Sequence, residues 1–208
     1  AQKNPNALSK KTYTVEDVIN SKKLTEDLRL LDCSRPCSGG ASILLASEQL
    51  CKKISDNPIW ISGIGQKTTS AGFTKNESLF TMTSTKQAGD TALKMANKNI
   101  SEIDVAEIHD AFSVCEPMAL DALGFTKPGE GMNLIKKLHD TDNFMINPRG
   151  GLIGCGHPLG ATGISQTIEI TTQLQGKSEK RQISNLKTGL IHNMSAAGTS
   201  SSVMVLEN

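Results

Sequence analysis

Proton transfer and nucleophilic attack near neutral pH fall mainly to histidine and cysteine. This chain of 208 residues holds four histidines and five cysteines. His157 has the most unusual surroundings. It lies in "NPRGGLIGCGHPLGATG" (147–163), a stretch with six glycines and two prolines that feeds a helix-like run. Glycine lets another group approach the backbone closely, and a helix start offers unpaired N–H groups to an anion or a carbonyl oxygen. Pro158 fixes the chain just after the imidazole. Such a loop can hold a histidine rigidly at the mouth of a pocket. A tight turn with a purely structural histidine is the competing reading. Phosphate cradling lacks support, because neither G-x-x-x-x-G-K-[ST] nor G-x-G-x-x-G is present. His109 ends the strand-like run "SEIDVAEIHD" and could as well satisfy a buried hydrogen bond. The cysteines are 33, 37, 51, 115 and 155. Cys33 and Cys37 have no second pair to complete a zinc set, and no ligand cluster implies a metal. An odd number of cysteines fits reduced thiols in a cytosol-like compartment.

The elements that must position these residues read as an α/β layered fold. "TVEDVINS" (14–21) predicts a short helix with Thr14 as N-cap and Asp17 closing a capping-box variant. "GASILLAS" (40–47) predicts a buried strand, and "IWISGIG" (59–65) another. Residues 66–84 predict a loop, and "TKQAGDTALKMANKN" (85–99) a helix. Residues 101–110 hold a strand. Residues 111–125 predict a helix with Pro117 at a kink or in the first turn. "ATGISQTIEITTQLQGK" (161–177) predicts a helix with Ile164, Ile168 and Leu174 on one face and Gly176 as its stop. The end, "TGLIHNMSAAGTSSSVMVLE", predicts two strands joined by a small-residue turn.

Composition narrows the function classes. The formal net charge is +1, with basic residues spread along the chain, which argues against nucleic-acid binding. No apolar run approaches the ~18 residues of a membrane span, so no membrane contact is expected. The polar start is no signal peptide and lacks an initiator Met, so a processed, cleaved or partial chain is expected. "VLEN" is not a peroxisomal ending, which favours a cytoplasmic location.

Three ordered stretches carry a family resemblance across nearly the whole chain. "GGLIGCGHPLGATG" closely resembles the GHP signature of the thiolase superfamily. "EIHDAFSVCEPMALDALGF" resembles the HDAF or HDCF segment of the sterol-carrier-protein-type and archaeal branch, and "GLIHNMSAAGTSSSVMVLE" its closing hairpin. Upstream, "LDCSRPCSGGASILLAS" resembles the end of the thiolase N-terminal half. The resemblance implies a five-stranded mixed sheet with helices on both faces. It implies that residues 1–56 end the N-terminal half and residues 57–208 form the C-terminal domain. It further implies an acyl-CoA acyltransferase, with a CoA thioester as substrate and no other cofactor.

By motif, His157 matches the base that activates the nucleophilic cysteine, and His109 a donor to an oxyanion hole. Gly198, Ala197, Asn193 and Met194 match the pocket floor. Ser34 falls near the pantetheine arm. Asp110 is read as a backbone cap at a helix start; His139 and His192 as structural or solvent-facing. Three departures matter. No segment resembles the nucleophile-bearing part of a thiolase, so a partner half or subunit is expected to carry that cysteine. The second catalytic cysteine is absent: Met194 and Ala111 stand at its two family positions, and neither transfers a proton. Cys115 or Cys155 could substitute, although a buried thiol packed as a hydrophobe is the simpler reading. Finally, the glycine-rich turn is "SAAG" (195–198), and S-D-G-A is "SGGA" (38–41). Alternatives therefore stay open: a thiolase-like retro-aldolase subunit with an OB-fold partner, or a non-catalytic subunit that binds CoA esters or scaffolds a partner. A homo- or hetero-oligomer is expected from the apolar surface that a missing half would cover.

Overall fold

A computed structural model describes residues 1–72, 78, 80–141, 143, 145–195 and 198–208. In chain order the elements are α1 (Val15–Ile19), α2 (Glu48–Ile54), β1 (Trp60–Thr68), α3 (Thr83–Ala96), β2 (Val105–Glu107), α4 (Cys115–Leu123), α5 (Gly131–Asp140), α6 (Gly151–Cys155), α7 (Thr162–Leu174), β3 (Thr188–Met194) and β4 (Ser200–Glu207). The capping box of Thr14 and Asp17 forms as its residue types predict. Pro117 sits in the first turn of α4, where its missing N–H costs nothing.

Among the described residues the sheet has four strands, in the order β1-β4-β3-β2. β1 and β3 flank β4 antiparallel, and β2 runs parallel to β3. Period-two alternation splits the sheet's side chains between two cores. Ala106, Leu190, Val203 and Val205 pack with Ala88 and Ala92 of α3 and Ala119 and Leu120 of α4. Val105, Ile191 and Leu206 point the other way, onto Ile170 and Leu174 of α7. Helices thus cover both faces. The strand–helix approach on the first face is very close: at Gly65 any Cβ would collide with the Ala88 carbonyl of α3.

Several expectations need correction. Among the described residues the sheet has four strands rather than five, and 40–47, expected as a further strand beside it, forms none. In this run Leu44 and Leu45 are 82% and 70% exposed, so it is not the buried element that its apolar residues predict. With α2 and α7 it instead walls an open apolar cleft of about 650 Å³. β1 runs on to Thr68, beyond the predicted end at residue 65. α5 falls in a stretch for which no element was predicted. The buried face of α7 is not the Ile164–Ile168 face. It carries Gln166, Glu169, Ile170, Gln173 and Leu174, with the polar members hydrogen-bonded.

Candidate active site

The 147–163 loop is tied down at several points. Asn147, itself at φ +51°, accepts a hydrogen bond from the Ile108 N–H on its Oδ1 at 2.7 Å, and its own N–H bonds the Ala106 carbonyl. Asp110 accepts from the Leu152 N–H at 2.6 Å and, more weakly, from the Ile153 N–H. It is therefore a cap, as its residue type predicts, but of α6 rather than of the helix that follows it in sequence. Burial pushes its carboxyl well above the usual carboxylate range. Gly151, at φ +62°, lies so close to this carboxylate that no side chain fits. The His157 N–H then bonds the Arg35 carbonyl at 2.8 Å, which fastens the base to the 33–37 segment.

The half-buried ring of His157 meets that of His109 edge to face, with centroids 5.0 Å apart and planes at 87°. His157 Nδ1 is 2.7 Å from Thr162 Oγ1. Burial lowers the His157 pKa. Burial, aided by the neighbouring His157, lowers that of His109 to about 4. Both imidazoles are neutral at pH 7, so each offers one lone pair and one N–H.

Both rings line a cavity of about 730 Å³. Ser34, Cys115, Asn193, Met194 and Gly198 share its wall with Met82, Phe112, Met118 and Leu159. Seven of the nine residues singled out from sequence thus come together. Asn193 is held by a 2.8 Å bond from its amide nitrogen to Gln166. The Gly198 N–H is already given to the Ser195 carbonyl, so Gly198 shapes the floor and has no free donor. Cys115 is the only thiol on this wall among the described residues; it is buried, and burial raises its pKa. Cys155 stands apart. It lines a different cavity, with its Sγ bonded to the Arg149 carbonyl and to Asn4. Ala197 lies outside the described residues.

Three features went unread in the sequence. Thr162, five residues past His157, touches its ring. His192, fully buried, bonds Thr85, which continues through Ser201 and Ser84 to the Gly198 carbonyl. Glu107 and Arg149 form a buried ion pair, and burial pushes the Glu107 carboxyl up to about 7. Only a fold could reveal these contacts, since most of them join distant segments. His139 is exposed on α5, in keeping with a solvent-facing role.

The family described as thiolase C-terminal domain-like matches residues 65–208. An acetyl-CoA acetyltransferase of Methanothermobacter thermautotrophicus is 34% identical over 99% of this chain and 54% of its own length. One of Methanocaldococcus jannaschii is 36% identical with the same coverage. Sterol carrier protein 2 of Gallus gallus is 34% identical over 94% of this chain and 37% of its own. The chain therefore spans about half, or less, of the length of these relatives. Among solved structures, the Ltp2-ChsH2(DUF35) aldolase aligns over 100% of this chain and 55% of its own, with a TM-score of 0.85 at 21% identity, a likeness of fold. No helix among the described residues is long and apolar enough to cross a membrane.

Proposed function

Since the chain belongs to the thiolase family, we propose that it is the C-terminal portion of an acyl-CoA acyltransferase that forms or thiolytically cleaves 3-ketoacyl-CoA. In this reading residues 1–56 end the N-terminal half, and the nucleophilic cysteine belongs to a partner half or subunit. The observation that carries it is the pair of imidazoles, His157 and His109, set edge to face in the wall of one cavity. His157 accepts the proton of the cysteine thiol, which is a poor nucleophile until ionised. The thiolate attacks the ketone carbonyl of a 3-ketoacyl-CoA. The bond between its α and β carbons breaks, and acetyl-CoA leaves once its α carbon is protonated. CoA thiol then releases the acyl group from the cysteine. A neutral His109 donates its N–H to the thioester oxygen on which charge develops. Cys115 is the thiol best placed to protonate the α carbon, because neither Ala111 nor Met194 can. CoA is substrate, and no other cofactor is invoked.

A second reading is retro-aldol cleavage of a β-hydroxyacyl-CoA by a thiolase-like subunit with an OB-fold partner. It is favoured by the absence of a thiol at Ala111 and Met194 and by the structural neighbour, which is an aldolase. The test is native mass spectrometry of the purified particle with peptide mapping, followed by product analysis. A second segment carrying a thiolase N-terminal half, and CoA-dependent thiolysis of acetoacetyl-CoA, support the first reading. A carbonyl product from a β-hydroxyacyl-CoA selects the second. CoA-ester binding without turnover leaves a non-catalytic subunit.

A further inference from the structure

We propose that the Thr162 hydroxyl is a positioning group that fixes His157 as the Nδ1–H tautomer, so that Nε2 is left as the bare, basic nitrogen. A histidine base works from one nitrogen only, and the partner of the other decides which one. The catalytic consequence rests on reading His157 as the base; the tautomer itself does not.

The argument follows from counting protons around one oxygen. Thr162 is 1% exposed, at the first residue of α7. Its Oγ1 lies 2.7 Å from His157 Nδ1 and 3.2 Å from the Pro158 carbonyl oxygen. A hydroxyl has one proton to give. The Pro158 oxygen has none, so a hydrogen bond between those two oxygens uses the hydroxyl's proton, in the back-bond to residue i−4 common for threonine in helices. With the hydroxyl proton given to Pro158, the 2.7 Å contact with the ring is Nδ1–H donating to Oγ1. Were the hydroxyl to donate to Nδ1 instead, its oxygen would face the Pro158 oxygen at 3.2 Å with no proton between them. The hydroxyl has little freedom to turn away. The backbone of Thr162 is fixed from both sides: its N–H bonds Pro158, and its carbonyl accepts from Ser165, which is in turn held by Arg149. The buried pair of Glu107 and Arg149 thus steadies the first turn of α7, and with it the ring.

The test uses the complete assembly containing this chain, labelled with ¹⁵N-histidine, and reads the ring nitrogen shifts of His157 near pH 7. A protonated, pyrrole-type Nδ1 with a pyridine-type Nε2 is expected. A pyridine-type Nδ1, or an even mixture of tautomers, would overturn the proposal. Thr162→Val keeps the shape and removes the acceptor, so the Nε2–H form should appear. Thr162→Ser should restore the parent spectrum. Should the valine variant fail to fold, the spectra of the parent and the serine variant still decide. In a thiolysis assay Thr162→Val should lower kcat/KM by roughly threefold to tenfold, the worth of one ordinary hydrogen bond, with Thr162→Ser near parent. An Nδ1–H ring in an assembly without thiolysis would leave the tautomer standing and remove the proposed reaction.

Discussion

Replacing His192 by glutamine should change how stability depends on pH. His192 is fully buried, its Nδ1 has no hydrogen-bond partner among the described residues, and burial, with a smaller push from His109, lowers its pKa from 6.5 to about 3. An unfolded chain takes up a proton at this residue near pH 6.5, and the folded chain only near pH 3. Between those values the unfolded state binds more protons, so falling pH erodes stability. At pH 5, about 1.5 pH units below the unfolded value, the loss is about 2 kcal/mol. Glutamine removes the titration and retains an amide that can meet Thr85. Other groups with shifted pKa values, such as Glu107 and Asp110, are shared by both proteins and largely cancel in the difference. Parallel urea titrations at pH 7 and pH 5, followed through the single tryptophan, Trp60, give that difference directly. The parent should lose about 2 kcal/mol more than His192→Gln on going from pH 7 to pH 5. If the two proteins lose stability equally, burial is not what keeps this ring neutral, and the same argument would fail for His109.

Other changes act closer to the proposed chemistry. His157→Ala in the complete assembly should cut the thiolysis rate by ~10²–10⁴-fold, the usual reach of a general base, measured under saturating substrate. Cys115→Ala should lower kcat, and Cys155→Ala should leave it near parent, because only Cys115 shares the cavity of the two histidines. Equal effects of the two cysteines would remove Cys115 from the mechanism. Gly151→Ala should destabilise the fold by about 1–3 kcal/mol, seen as a lower Tm, because it combines a left-handed backbone with a collision against Asp110.

What could be read from sequence depended on distance along the chain. The helices at 83–96 and 162–174 and the closing hairpin follow from local periodicity, and the Thr14 cap from two residues three apart. His157 could be singled out because its glycines are its neighbours in sequence. The run 40–47 misled for the opposite reason. Its apolar residues look like a buried strand, but burial depends on what lies opposite, and among the described residues α2 and α7 leave the run facing an open cleft. The polar buried face of α7 was missed because Gln166 and Gln173 are buried by hydrogen bonding rather than by apolarity. Asp110 could be recognised as a cap, yet the helix that it caps starts far along the chain. The roles of Thr162 and His192 depend on single atomic contacts that no spacing rule encodes.

The fastening of His157 to the Arg35 carbonyl bears on the order of folding. The same loop is held by the Asn4 amide, which reaches the Arg149 carbonyl across 145 residues of chain. Contacts closed over such long loops carry their entropy cost before they return any stability, and chains rich in them fold slowly. The hairpin and its helices can form from near neighbours, whereas the setting of the base waits until the beginning of the chain arrives. Recovery of the His157 environment during refolding should therefore lag behind the recovery of helix and sheet, and could serve as a clock for the last step of assembly.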